Sequence, residues 1–312
     1  DGGVVRTLIG TGELGDALEG LALLVALNHP TNISFDPRGR LIMAAWHNSK
    51  VMRYDFDTRS LERIVGTGAR SFAGDGGLAT DAALDLPSST AFDPAGRLFI
   101  SDQANQRIRM VDLNGIISTV AGNGKPGFAG EEEPAYMAQL FSPTGQSAPP
   151  TSRIAADAEG NIFVADTMNN RIRRIDAVTG IISTVAGFTE RDAQLQGGDI
   201  EIESHILGTK GVAFDGEGVP ATEAILGWPC DVAIDLDGRI FIADTFNHCV
   251  RMVDLDGIIR TVAGQCGEIG YGGDGGHPLE ALLNRPYGLD VDRRGNLYIA
   301  DTHNNRIRVV HK

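Results

Sequence analysis

The sequence predicts an all-β chain folded as a five-bladed β-propeller, with four antiparallel strands in each blade. Three observations lead there. Glycine supplies 40 of the 312 residues and aromatics only 6%, a balance that suits many tight turns. Five segments of the chain align with one another, and a repeat of this kind decides an architecture before any local propensity does. The two chain ends, taken together, carry the pieces of one blade.

The aligned segments are "GRLIMAAWHNSKVMRYD" at 39–55, "GRLFISDQANQRIRMVD" at 96–112, "GNIFVADTMNNRIRRID" at 160–176, "GRIFIADTFNHCVRMVD" at 238–254 and "GNLYIADTHNNRIRVVH" at 295–311. An apolar run ending in Asp36, Asp93, Asp157, Asp235 or Asp292 precedes each. "GIISTVAG" or "GIIRTVAG" follows the middle three. Each unit therefore reads as strand a, a D-x-x-G turn, strand b, a D-T-x-N turn, strand c, a second D-x-x-G turn, and strand d. The runs are short, rich in Ile, Val and Phe, and bounded by Gly, Asp and Asn, as strands and tight turns require.

Four strands repeated along the chain are the mark of a propeller. The blades fall at about 27–66, 84–122, 140–187, 226–264 and 283–312 of a single domain, 1–312. The surplus over a minimal blade sits between strand d and the next strand a, in loops such as "SFAGDGGLATDAAL" and "GYGGDGGHPLEALL". Each loop ends in a short helix-permissive stretch leading into L-x-x-P. The fifth unit stops after strand c, and "DGGVVRTLIG" at 1–10 matches the strand d it lacks. Residues 1–10 are thus expected to pair with strand c of the last blade and close the ring, removing both open sheet edges. The insertion near 188–208 is too short to supply four further strands.

The pattern in "NIFVADTMNNRIRRID" resembles the NHL repeat family, in the long-spaced form of bacterial secreted propellers and teneurins. The resemblance covers nearly the whole chain and implies the fold. It leaves function open, because NHL propellers include protein-binding sensors, RNA binders and lyases.

The formal charge of −14, from 41 acidic against 27 basic residues, argues against a nucleic-acid partner, which needs a basic face. The most apolar run, "LALLVAL" at 21–27, is far short of a membrane span, so no membrane insertion is expected. The chain reads as a monomer, secreted or periplasmic. With no basic leader and no initiator Met, Asp1 reads as a mature terminus or a boundary inside a longer chain.

Columns that recur from blade to blade build the blade. Asp102, Asp166, Asp244 and Asp301, with Asn48, Asn105, Asn169, Asn247 and Asn304, are expected to bond their own turns rather than ring a cation. Asp75, Asp215 and Asp274 lack the alternation that a calcium loop needs, so calcium is disfavoured. Arg109, Arg173, Arg251 and Arg308 alternate with Ile or Val and are expected on the solvated side of an outer strand, paired with nearby acids.

Breaks in the pattern carry the information about function. Blade 1 replaces D-T-x-N with Ala45-Trp46-His47-Asn48. The residue before the L-x-x-P proline varies: His29, Leu86, Ser142, Trp228 and Arg285. Two positions after that Pro, the Gly145 or Gly288 of two blades becomes Asn32, Ser89 or Asp231, whose side chains are expected to point at the channel mouth. The leading reading is a recognition module binding a small molecule, glycan or protein there, through His29, Asn32, Trp46, Trp228, Asp231, Arg285 and Tyr287.

The alternative is a metal-dependent lyase or hydrolase at the sector where blade 5 meets blade 1. There His29, His47 and His303 would hold zinc or iron, Arg285 an anionic substrate group, and Tyr287 would act as acid or base. Similarity to NHL-type amidating lyases, which use a zinc at the propeller mouth, assigns no residue here. The insertions "QSAPPTSR" at 146–153 and 188–208 are binding loops or seals of the channel. Among Cys230, Cys249 and Cys266, a 249–266 disulfide requires its loop to fold back, because strand counting sets Cys249 opposite Val262. A cysteine nucleophile with His248 as base is disfavoured, since adjacent strand residues point to opposite faces.

Overall fold

The computed structural model describes residues 5–145, 147–187 and 216–312, and these form an all-β, five-bladed β-propeller of five antiparallel sheets, one per blade. Two compact units divide them, Asp1–Pro126 with Ala135–Pro150, and Gly127–Pro134 with Thr151–Lys312. The first holds blade 1 (Pro30–Phe35, Leu41–Ala45, Lys50–Tyr54, Ser60–Val65) and blade 2 (Pro87–Phe92, Leu98–Asp102, Arg107–Val111, Ile117–Ala121). The second holds blade 3 (Ile154–Ala156, Ile162–Asp166, Arg171–Ile175, Ile181–Ala186), blade 4 (Pro229–Ile234, Ile240–Asp244, Cys249–Val253, Ile258–Ala263) and blade 5 (Pro286–Val291, Leu297–Asp301, Arg306–Val310).

The D-x-x-G turns form as the sequence dictates. Asp36 Oδ1 accepts the backbone N–H of both Arg38 and Arg40 at 2.9 Å, and Gly39 takes the left-handed φ of 77° that closes the turn. Neighbouring blades within each unit bury Ile, Val, Leu and Ala between their faces. Ile42, Val51, Val65, Leu84, Ile100 and Ile117 form the core of the two-blade unit. Ile172, Val232, Ile242 and Ile259 join blades 3 and 4, while Val250, Leu283, Leu297 and Ile299 join blades 4 and 5.

The strand-c arginines overturn the expectation of a solvated outer strand. The side chains of Arg109, Arg173 and Arg251 are 0% exposed. Each lies between the Asp that opens the D-T-x-N turn and an acid lent by the preceding glycine loop. Arg109 meets Asp75 at 2.6 Å and Asp102 at 3.3 Å. Arg173 meets Glu131 and Asp166, Arg251 meets Glu217 and Asp244, and Arg308 meets Asp274 and Asp301. Burial is tolerable because two carboxylates and loop carbonyls surround each guanidinium; for Arg109 the carbonyls are those of Ala73 and Ala83. Asp75 and Asp274 thus bind arginine, and Asp215 lies outside the described residues. The turn Asp columns hold arginine and their own Asn rather than a cation.

Blade 1 lacks this network as a set. Ala45 stands where Asp is expected, Met52 where Arg is, and both join an apolar cluster with Ala17, Ala22 and Val25. Half of the blade 1 anomaly is therefore a swap of a buried ion pair for an apolar pair.

Two further outcomes concern connectivity. The closing strand expected from 1–10 does not appear among the described residues: 5–10 carry no strand, Val5 is 98% exposed, and blade 5 has three strands. Elsewhere strand d is tethered to strand c by a short hairpin turn, and the N-terminal segment has no such tether. The disulfide, by contrast, forms between Cys249 and Cys266. A bulge at Val250/Arg251 shifts the register by one residue, and the chain then folds back, with Gly267 N–H donating to Asn247 O at 2.8 Å.

Candidate functional site on the upper turns

In both units the D-T-x-N turn is a single 3₁₀ turn, hydrogen-bonded to the start of L-x-x-P. Phe246 N–H donates to Gly227 O at 2.9 Å, and His303 N–H to Asn284 O at 3.1 Å. The variable residue before the proline is held left-handed: φ is 50° at His29, 53° at Leu86, 53° at Trp228 and 48° at Arg285. A non-glycine residue there is strained; of the four side chains Leu86 and Trp228 are buried, while His29 is exposed and Arg285 half-buried. Ser142 is not among them. It is buried, with its N–H and C=O bonded to the Gln106 amide.

The three-blade unit gathers planar groups from successive turns. Trp228 stacks on Phe246 (5.1 Å, 11°), the Arg285 guanidinium lies 4.8 Å from the Phe246 centroid, and Tyr287 stacks on His303 (6.2 Å, 9°). Trp228, Phe246 and Cys230 form one buried cluster, against which Met168 and Tyr287 pack. Trp228 Nε1–H is buried without a hydrogen-bond partner, a donor whose desolvation is uncompensated. His248 Nδ1 accepts the Arg285 backbone N–H at 3.1 Å.

Beneath this array lies an ion pair that the sequence reading missed. Strand pairing sets Ile154 opposite Val164, as Val232 lies opposite Ile242 and Leu289 opposite Ile299. Arg153, not Gly145, therefore occupies the column of Asp231 and Gly288, because the inserted residues before it shift the register. Arg153 Nη1 lies 3.2 Å from Asp231 Oδ2, which also accepts the Leu289 N–H at 2.9 Å. A Cβ on Gly288 would meet Arg153 Nη1 at 2.8 Å. Gly288→Ala is accordingly expected to displace Arg153 and destabilise the chain by about 1–3 kcal/mol. Urea denaturation checks this, and an unchanged midpoint would refute it.

In the two-blade unit His29 and His47 meet, Nδ1 to Nδ1, at 2.8 Å, and Asn28 Oδ1 lies 2.7 Å from His29 Nδ1. Trp46 is buried and stacks on His47 at 4.5 Å, with its Nε1–H unpartnered. Asn32 accepts the Thr90 N–H at 3.0 Å, clamping blade 1 to blade 2 as Asp231 clamps blade 4 to blade 5.

The model of the teneurin NHL domain matches residues 58–127, and the model of the NHL repeat matches 283–310. Residues 283–310 read as an NHL repeat, and the chain resembles the NHL-repeat β-propellers. It is 26% identical over 289 residues to protein SUPPRESSOR OF QUENCHING 1, chloroplastic, of Arabidopsis thaliana, covering 91% of this chain and 25% of that protein. It is 27% identical over 278 residues to teneurin-3 of Mus musculus, covering 82% and 9%. The chain thus spans a quarter or less of the length of these relatives. An auxiliary nutrient binding protein of Bacteroides ovatus superposes with a TM-score of 0.51 at 18% identity, covering 97% and 75%, a likeness of fold.

The blades place Cys230, Tyr287 and His248 where acid–base roles at neutral pH are unfavourable. Burial pushes the Cys230 thiol and the Tyr287 phenol each up to about 12. Burial, then the charge of Arg285, brings the His248 imidazole down to about 4. Cys249 is in the disulfide, which removes the nucleophile once paired with His248. His29 and His47 come together in one unit, while His303 sits with Tyr287 in the other. Among the described residues no group of three His, Cys, Asp or Glu side chains is placed to hold a metal ion. The 188–208 insertion and Gln146 lie outside the described residues. Phe246 and Met168, missed from the sequence, occupy the x of D-T-x-N together with His47, Ala104 and His303. The variability of that column was the available signal.

Proposed function

We propose that this propeller is a recognition module, secreted or periplasmic, that binds a small molecule, glycan or protein on its upper turns. In the three-blade unit, Arg285, Tyr287 and His303 form the contact surface, with Phe246 and Trp228 packed beneath. The observation that carries this reading is the array itself. Two stacked ring pairs and a guanidinium gather from consecutive blades at positions where the repeat demands no aromatic, the His303 ring exposed and the Trp228–Phe246 pair buried under Arg285. Flat faces with one fixed cation suit sugars, planar rings and peptide aromatics. The disulfide supports an oxidising compartment, and the fold is shared with a protein described as nutrient-binding.

Glycan, peptide and small-molecule arrays, screened with the chain and with Phe246→Ala/Arg285→Ala, test the reading. A hit should weaken about 30-fold in the double variant, the size of a hot-spot loss. A Trp46→Phe background leaves Trp228 as the lone tryptophan reporter. A ligand that binds the double variant unchanged, without altering Trp228 emission, would remove this surface from consideration.

A further inference from the structure

We propose that the groove between blades 1 and 2, on the side of the D-x-x-G turns, is a separate binding site for a small amphiphile with one anionic head. The groove encloses about 720 Å³ within the two-blade unit. Its floor is apolar, with the partly buried Ile64 and Phe92 lying over Ile42, Val65, Leu98 and Val111 of the blade core, and Leu113 lies at the rim.

Four arginines and three carboxylates line it. Asp36 holds Arg40 at 2.7 Å, and Glu62 holds Arg53 at 2.5 Å. Asp112 accepts the Ile116 and Asn114 N–H groups of its own turn, which keep it below the usual carboxylate range and ionised. Arg38 and Arg63 are then left without a carboxylate partner among the described residues. The groove carries a net positive charge on a chain whose formal charge is −14, so it is the place where an anion gains rather than loses.

Arg63 is also a break in the repeat. Register sets it opposite Met52, in the column of Thr119, Thr184 and Thr261. Those threonines bind the loop acids Asp75, Glu131 and Glu217 through their hydroxyls. In blade 1 the buried arginine is gone, and only the Arg63 backbone N–H meets the loop acid, Glu19, at 3.1 Å. The Arg63 side chain turns into the groove instead. There Nη1 donates to the carbonyls of Gly66 and Thr80, while Nε and Nη2 have no partner among the described residues. A carboxylate seated on those two donors, with its alkyl body on the floor, matches the site in charge and polarity.

Calorimetric titration of the full chain with decanoate and with 1-decanol tests the site. Decanoate should bind the wild type, and Arg63→Thr, which installs the residue of three other blades, should weaken it by about tenfold or more. Decanol should bind both proteins alike and more weakly than decanoate binds the wild type. Leu113→Asp, at a side chain 73% exposed and so without a folding role, should reduce decanoate affinity more than decanol affinity. No decanoate binding below millimolar, equal decanoate affinity in wild type and Arg63→Thr, or decanol binding the wild type as tightly as decanoate, would overturn the proposal.

Discussion

Arg109→Met should destabilise the protein by about 3–5 kcal/mol at neutral pH, whereas Asp102→Ala/Arg109→Met should recover most of that loss. The single change leaves Asp102, itself fully buried, without its cation, and strips the Ala73 and Ala83 carbonyls of a donor. Asp75 is exposed enough to return to water. The double change reproduces what blade 1 already does with Ala45 and Met52. It also frees the Asp85 N–H that Asp102 accepts at 2.7 Å. Blade 1 shows the remedy, since Asn48 Oδ1 accepts the equivalent N–H of Asn28 at 3.0 Å, and Asn105 stands in the same place.

The pH dependence separates an unpaired charge from a mere cavity. Burial pushes the Asp102 carboxyl up to about 6 in the native protein, against the pull of Asp85 N–H, Asn105 and Arg109, while its ordinary value is 3.8. Folding therefore favours the protonated form: this group's contribution is present below the ordinary value and lost as pH rises through 6. Removing Arg109 raises the folded value further, so the deficit of the single variant should shrink between pH 7.5 and pH 5. Urea midpoints at the two pH values decide the matter. A single variant no less stable than the double, or a deficit that grows on acidification, would contradict the account.

The fold was legible because a repeat shows its register five times. Where Asp36 and Gly39 recur in every blade, the turn they make is the local solution for an Asp accepting two N–H groups. The buried arginines were misread for a reason that lies outside strand periodicity. Alternation in "RIRRID" says only that Arg173 and Ile172 face opposite ways, and the acid that buries Arg173 comes from Glu131, 42 positions earlier. Arg153 was hidden because the insertion before it moved blade 3 by several residues relative to its prolines. Asn32 and Asp231 were recognised as unusual, but their oxygens serve the next blade's N–H groups, a pairing across sheets that one strand cannot reveal. Trp228 and Arg285 stood out in the sequence because the residue before the L-x-x-P proline differs in every blade.

Removing the disulfide, as Cys249→Ala/Cys266→Ala, should cost about 3 kcal/mol, the loop-closure contribution for a separation of 17 residues. In a domain of this size that lowers the melting temperature by about 5 °C. The effect should reach the upper turns, because Cys249 directly follows His248, which is left-handed at φ 58° and ends the turn bearing Phe246. The bridge and the Gly267–Asn247 hydrogen bond hold that turn from the side away from Arg285. Loosening it should spread the Trp228–Phe246–Arg285 stack and weaken any ligand bound there. Dithiothreitol should lower the wild-type melting temperature as much as the double variant's is lowered, and should leave the variant unmoved. Thiol titration gives an independent check. Of three cysteines two are bridged, so without reductant the unfolded chain should show one thiol and the folded chain none, because Cys230 is buried with its thiol pushed up to about 12. Two or three thiols in the unreduced chain, or a variant that melts with the wild type, would mean that the bridge does not hold this turn.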